Sequence, residues 1–167
     1  MNEASVAPNG VATFSFWMKA PMSGATTQEY FGPVIEGITW LNDIGLYYSM
    51  QSNPATYTWQ LTSQYAYTDQ TKTVQKNLGN LLPGEKAYVG FTAKNTGNMT
   101  WSNTSQNSIL VGTLSPFERP SEFSQNSSWL SGTRPAVMKE ASVAPNGTGT
   151  FEFWITAPSV PGVRHER

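Results

Sequence analysis

Three observations predict an all-β chain folded as an antiparallel sandwich. Apolar and polar residues alternate at period two in several short runs. Turn chemistry interrupts those runs roughly every ten residues, and no stretch keeps a 3.6-residue period over about ten positions. The 167 residues are enough for one ordinary domain, or one domain and a fragment, and a 38% hydrophobic, 13% aromatic content supplies a core large enough to exclude disorder.

Taken along the chain, FSFWMK (14–19) sets Phe14, Phe16 and Met18 opposite Ser15, Trp17 and Lys19, the pattern of a strand with one buried face. IGLYYSM (44–50) places Ile44, Leu46, Tyr48 and Met50 on one side. KAYVGFTAK (86–94) places Ala87, Val89, Phe91 and Ala93 opposite Tyr88, Gly90 and Thr92. In FEFWIT (151–156), Phe151, Phe153 and Ile155 face away from Glu152, Trp154 and Thr156. Pro8-Asn9-Gly10, Pro145-Asn146-Gly147, Pro83-Gly84 and Asn95-Thr96-Gly97-Asn98 are turn sequences, and each Pro-Asn-Gly is expected to close a hairpin. Core positions are expected at Val89, Phe91, Phe151, Phe153, Ile155, Leu46 and Tyr48.

The chain also repeats itself. MNEASVAPNGVATFSFWMKAP (1–21) and MKEASVAPNGTGTFEFWITAP (138–158) share fifteen of twenty-one residues at a constant offset of 137, without a gap. Residues 31–50 follow the first copy and have no counterpart after the second. The expected organisation is therefore 1–50 as the C-terminal half of one repeat, 51–56 as a linker, and 57–167 as a repeat lacking its last strands. Because Met1 aligns with the interior Met138, the lack of a signal sequence at Met1 is silent about localisation.

Composition excludes several functions. A net charge of −1 and a pI near 5.8 do not suit nucleic acid. Without cysteine there are no disulfides, thiolate metal sites or cysteine nucleophiles. No apolar run reaches the roughly 18 residues of a membrane-spanning helix. The single histidine, His165, has no nucleophile patterned beside it, the nine glutamates nominate no facing pair, and Asn42-Asp43 reads as a β-turn better than as a calcium loop. No catalytic residue, metal site or cofactor is expected, and the chain reads as a non-enzyme.

One motif resembles a known family. KNTGNMTW (94–101), LVGTLSPFERPSEF (110–123), Trp129 and TRPAVMKEASVAPNGTGTFEFW (133–154) together resemble the Ig-like four-tryptophan domain of neighbour-of-BRCA autophagy receptors and its bacterial relatives. EYFGPVIEGITWLNDIGLYYSM (29–50) continues the resemblance in the other phase. It implies an Ig-like sandwich, permuted or shared between neighbouring units, in tandem on secreted or cell-surface proteins.

Two functions follow as expectations. The first is a structural module of an extracellular fibre, surface layer or tandem array, assembled by strand complementation through Ile44, Leu46, Tyr48 and Met50, with copies of itself or adjacent repeats as partners. The second is a module of a larger secreted protein that binds cell-wall glycan or a peptide. Trp17, Trp154 and Trp40 are candidate interface or ligand aromatics, with coverage by a second layer as the alternative for Trp17 and Trp154. Trp101 and Trp129 are expected to plug the core, and Arg119 and Arg134 to tie down their long loop. Asn98, Asn103 and Asn126 head N-x-[ST] sequons and are candidate glycosylation sites.

Overall fold

The computed structural model describes residues 1–104, 106–125 and 128–165 and is all-β. The chain divides into two compact units, Met1–Ala55 and Thr56–Arg167. Residues 51–55, expected as a linker, belong to the first unit: Ser52 N–H donates to Ala25 O at 2.9 Å and Ala55 N–H to Met22 O at 3.0 Å.

In the first unit, β1 (Thr26–Tyr30) pairs antiparallel with β4 (Tyr47–Gln51), from Thr26↔Gln51 to Tyr30↔Tyr47. β2 (Val34–Ile35) and β3 (Thr39–Trp40) form a two-residue ladder. The strand expected over 44–50 begins only at Tyr47, because Gly45 takes φ +74° and donates its N–H to Asp43 Oδ1 at 2.8 Å. That Asx turn separates Ile44 from the strand. No residue of this unit is buried, so the expected core positions Leu46 and Tyr48 are exposed. Two-stranded ladders without a second layer leave both their faces open to solvent.

The second unit is built on a three-stranded antiparallel sheet. Its strands are β5 (Trp59–Tyr67), β6 (Lys86–Asn95) and, after the short β7 (Trp101–Ser102) and β8 (Ser142–Val143), β9 (Thr148–Thr156). The order is β5-β6-β9 with β6 in the centre, while β7 and β8 pair in a thin second layer. Ala93, Trp101, Met138, Val143 and Phe151 form the core between them, with Phe91, Ile109 and Val111 packed against it. Trp101 is thus the expected core plug. Asn95, 0% exposed, locks the layers together. Its Nδ2 donates to Met99 O (2.8 Å) and Val143 O (3.2 Å), and its Oδ1 accepts from Gly97 N–H at 3.0 Å. Its backbone exchanges bonds with Gly147 O and Asn146 N–H. Gly97 is required because a Cβ there would lie 2.2 Å from Thr56 O.

The two copies of the repeat share their local geometry and differ in their long-range geometry. Asn9 and Asn146 sit at φ +66° and +67°. Gly10 N–H donates to Ala7 O at 2.8 Å, and Gly147 N–H to Ala144 O at 2.9 Å. Glu3 accepts from Thr13 N–H, and Glu140 from Thr150 N–H. Yet 148–156 is a nine-residue strand paired with β6, whereas 11–19 is not a strand. The strand expected at 14–19 is absent, and no strand pairs with that segment. The second Pro-Asn-Gly also joins strands of different sheets, β8 and β9, rather than closing a hairpin. A Pro at the first central position and positive φ at the second is a type II turn, set by the local sequence alone.

Phe151 is 3% exposed and Phe14, its counterpart, 54%. Phe151→Ala is therefore expected to cost roughly 3–5 kcal/mol in urea unfolding. Phe14→Ala in the same chain is expected to stay within about 0.5 kcal/mol of the parent.

Candidate functional site

The apolar face of the β5-β6-β9 sheet is only partly covered. Val89, Phe91, Phe153 and Ile155 are half-buried there beside the buried Phe151. The segment Ile109–Thr113 crosses this face, held by Ile109 N–H to Ser102 O (2.9 Å) and Val111 N–H to Ala136 O (2.8 Å). Open clefts flank it. One, of about 450 Å³, runs between Leu78, Phe123, Trp129 and Phe153 and reaches Arg164 and His165. The other, of about 380 Å³, is lined by Trp59, Phe91, Ile109 and Leu114. Stacked and edge-on rings build the floor: Phe91–Phe151 at 5.0 Å, Trp59–Phe91 at 6.2 Å and Trp129–Phe153 at 5.8 Å. Trp129, expected as a core plug, is instead half-buried on the cleft wall, with Nε1 donating to Trp154 O at 2.7 Å. Apolar clefts this long beside unpaired strand edges suit an extended apolar segment better than a small polar ligand.

The first unit presents apolar side chains instead of burying them. Trp40, Ile44 and Leu46 meet Phe31 around one open cleft, while Tyr48 and Phe16 flank the Phe31 ring at 6.0 and 4.9 Å. Met50 is half-buried on β4, and Trp17 is 100% exposed. Of the proposed assembly residues, Ile44 and Leu46 thus share a cleft, and Tyr48 and Met50 share a strand.

The outer face of the sheet carries a feature invisible in the sequence pattern. A bulge between Leu61 and Ser63 changes the parity of β5. Leu61 lies opposite the inward Ala93, but beyond the bulge Gln64 takes the inward place opposite Phe91, and Tyr65 turns outward opposite Gly90. There Glu152, whose side chain is 1% exposed, accepts four bonds: Tyr65 OH (2.6 Å), Tyr88 OH (3.0 Å), Lys72 Nζ (2.8 Å) and Lys139 Nζ (2.5 Å). Gly90 makes room, since a Cβ there would lie 2.7 Å from the Tyr65 ring and 2.8 Å from Glu152 Cγ. Trp154 packs beside Tyr88 on this same face, at 5.3 Å.

Burial opposes the Glu152 charge, but bonds from Lys139, Lys72, Tyr65 and Tyr88 outweigh it and bring its pKa from 4.5 down to about 2. Burial, and then the Glu152 bond, push the Tyr88 phenol up to about 12, and Tyr65 rises for the same reasons. A carboxylate so satisfied holds its charge and has no proton to exchange at neutral pH. Its part is structural.

The remaining candidates are tied into the fold. Arg134 bonds Thr133 O and pairs with Glu118, and Arg119 bonds Pro120 O, as expected of loop ties. Asn103 is half-buried, and its Nδ2 donates to Met138 O at 3.1 Å. Asn98 is exposed and accepts Thr56 N–H at 2.8 Å, and Asn126 lies outside the described residues. Among the described residues no three His, Asp or Glu side chains gather as a metal site, and no helix is long and apolar enough to cross a membrane.

Compared with known proteins, the chain matches no family model, no curated protein and no solved structure.

Glu152 binds its proton more weakly in the folded chain than in the unfolded one. Its contribution is complete above about pH 5 and is lost as pH falls through 4.5 toward 2. Glu152→Gln is expected to cost roughly 1.5–3 kcal/mol at pH 7 and to flatten the urea midpoint between pH 5 and 2. An unaltered acid profile in the variant would assign the acid sensitivity elsewhere.

Proposed function

We propose that this protein is a non-catalytic structural module of an extracellular repeat array, such as a fibre, surface layer or tandem stalk. Neighbouring Ig-like repeats complete one another there by strand complementation. One observation carries the reading: a sheet whose apolar face is partly open and a unit with no buried residue, each carrying one copy of a segment repeated at an offset of 137. In the first copy, the repeated segment is followed by residues 31–50. The first unit holds such a segment, with Leu46 and Tyr48 exposed and Phe31 half-buried.

The energetics agree. Each Phe or Leu removed from water contributes about 1.5–3 kcal/mol, so covering both faces favours association. Complementation of this kind is head-to-tail, and contacts that do not close on themselves propagate along a line. Stability then accumulates between nearest neighbours, as in other repeat arrays.

The test extends the chain beyond Arg167 with a second copy of residues 31–55. The extension is expected to raise the unfolding midpoint of the second unit and to suppress binding of an apolar dye to its Phe91/Phe153 face. An unchanged midpoint with undiminished dye binding would overturn the reading.

A further inference from the structure

We infer that the first copy of the repeat is written for a sheet different from the one in this chain: its Val11–Lys19 segment fits a β6-type strand that carries an acidic residue opposite Lys19. This rests on the complementation reading, which says that the segment acquires a partner, and it names the chemistry of that partner.

The argument compares the six differences between the copies with the seat that β9 occupies. In that seat Thr156 is 5% exposed and lies opposite Lys86. Its counterpart is Lys19, so the first copy on β6 would set a second lysine, at a buried position, directly across from the exposed Lys86. Glu152 lies opposite Gly90 and satisfies Lys72, Tyr65 and Tyr88. Its counterpart is Ser15, which brings no carboxylate and would leave Lys72 without its counter-charge.

The substitution is paired. Lys139, which bonds Glu152, corresponds to Asn2, and Asn2 Nδ2 donates to Ser15 Oγ at 3.3 Å. An ion pair in one copy has become a neutral pair in the other. Gly149 corresponds to Ala12, and a Cβ at Gly149 would lie 2.8 Å from Met138 Sδ, whose counterpart is Met1. Met138 is fully buried beside Trp101, so this methyl presses on the tightest part of the core.

Three of the six differences, at Ala12, Ser15 and Lys19, with Asn2 coupled to Ser15, therefore oppose seating on β6. The residues that make the apolar contact, Phe14, Phe16 and Trp17, are retained from Phe151, Phe153 and Trp154. A segment that keeps the contact face and changes the charges discriminates among otherwise similar partners. The inferred acceptor keeps an apolar inward row like Val89, Phe91 and Ala93. It replaces Lys86 with Asp or Glu and has a neutral residue in place of Lys72. The same differences keep 11–19 from displacing 148–156 within the chain.

Because the chain has no cysteine, disulfide trapping reads the pairing directly. Thr92 lies opposite Thr150 in the ladder, and the counterpart of Thr150 is Thr13. The full chain bearing Thr92→Cys and Thr13→Cys is oxidised mildly and mapped by mass, with Thr92→Cys/Thr150→Cys as the control for native pairing. The 13–92 disulfide is expected at under one-tenth of the control yield. Rewriting the first copy by Asn2→Lys, Ser15→Glu and Lys19→Thr leaves the second unit untouched and is expected to raise that yield at least tenfold. Giving the acceptor Lys86→Glu instead, with the first copy unaltered, is expected to raise it as well.

Equal 13–92 yields from original and rewritten first copies would overturn the inference, and so would no gain from Lys86→Glu. Neither result bears on the extension of the chain by residues 31–55, which reads the apolar face and not the β6 seat. The failure of one proposal is thus distinct from the failure of the other.

Discussion

Pairing with the central strand β6 is the constraint on which the second unit depends. β6 supplies backbone partners to β5 on one side and β9 on the other, and its inward row of Ala87, Val89, Phe91 and Ala93 is the floor of the core. The repeat isolates this dependence within one molecule. Fifteen shared residues in twenty-one, the same turn and the same Glu-to-backbone bond give a nine-residue strand paired with β6 in one copy and irregular, unpaired chain in the other. Both copies keep the Phe-x-Phe-Trp alternation, and only the copy paired with β6 is a strand.

From that pairing the rest of the unit follows. Asn95 ends β6, and its side chain and backbone together hold the 96–100 turn to the Pro145-Asn146-Gly147 turn. That places Trp101 over Phe151 and brings β7 against β8. On the other side of the sheet, the bulge in β5 delivers Tyr65 to Glu152, and Gly90 clears the space between them. The inner face is left apolar and partly open, while the outer face is closed by one carboxylate and four donors. An open apolar face is what a complementing neighbour can use. A satisfied ion cage is what determines which strand sits there.

The legible part of the fold was the part written locally. Alternation located β6 and β9 and assigned their faces correctly, and the Pro-Asn-Gly turns formed in both copies. The expected strand at 14–19 failed because its pattern requires a partner that the pattern cannot supply. The strand over 44–50 was shortened by Gly45, whose positive φ interrupts an otherwise regular alternation. Glu152 as a hub was not legible, since it depends on a one-residue bulge that moves Tyr65 to the opposite face. The Glu-to-Ser and Lys-to-Asn differences between the copies did carry a signal, because they change together.

The most direct measurement is hydrogen exchange followed by mass spectrometry on the full chain, comparing the amides of 11–19 with those of 148–156. The peptides differ in mass, so each copy reports separately. The account predicts slow exchange for 148–156, at rates set by unfolding of the second unit, and exchange near the unstructured rate for 11–19. Equal protection of the two segments would contradict it, because the strand would then be a property of the repeat and not of its partner.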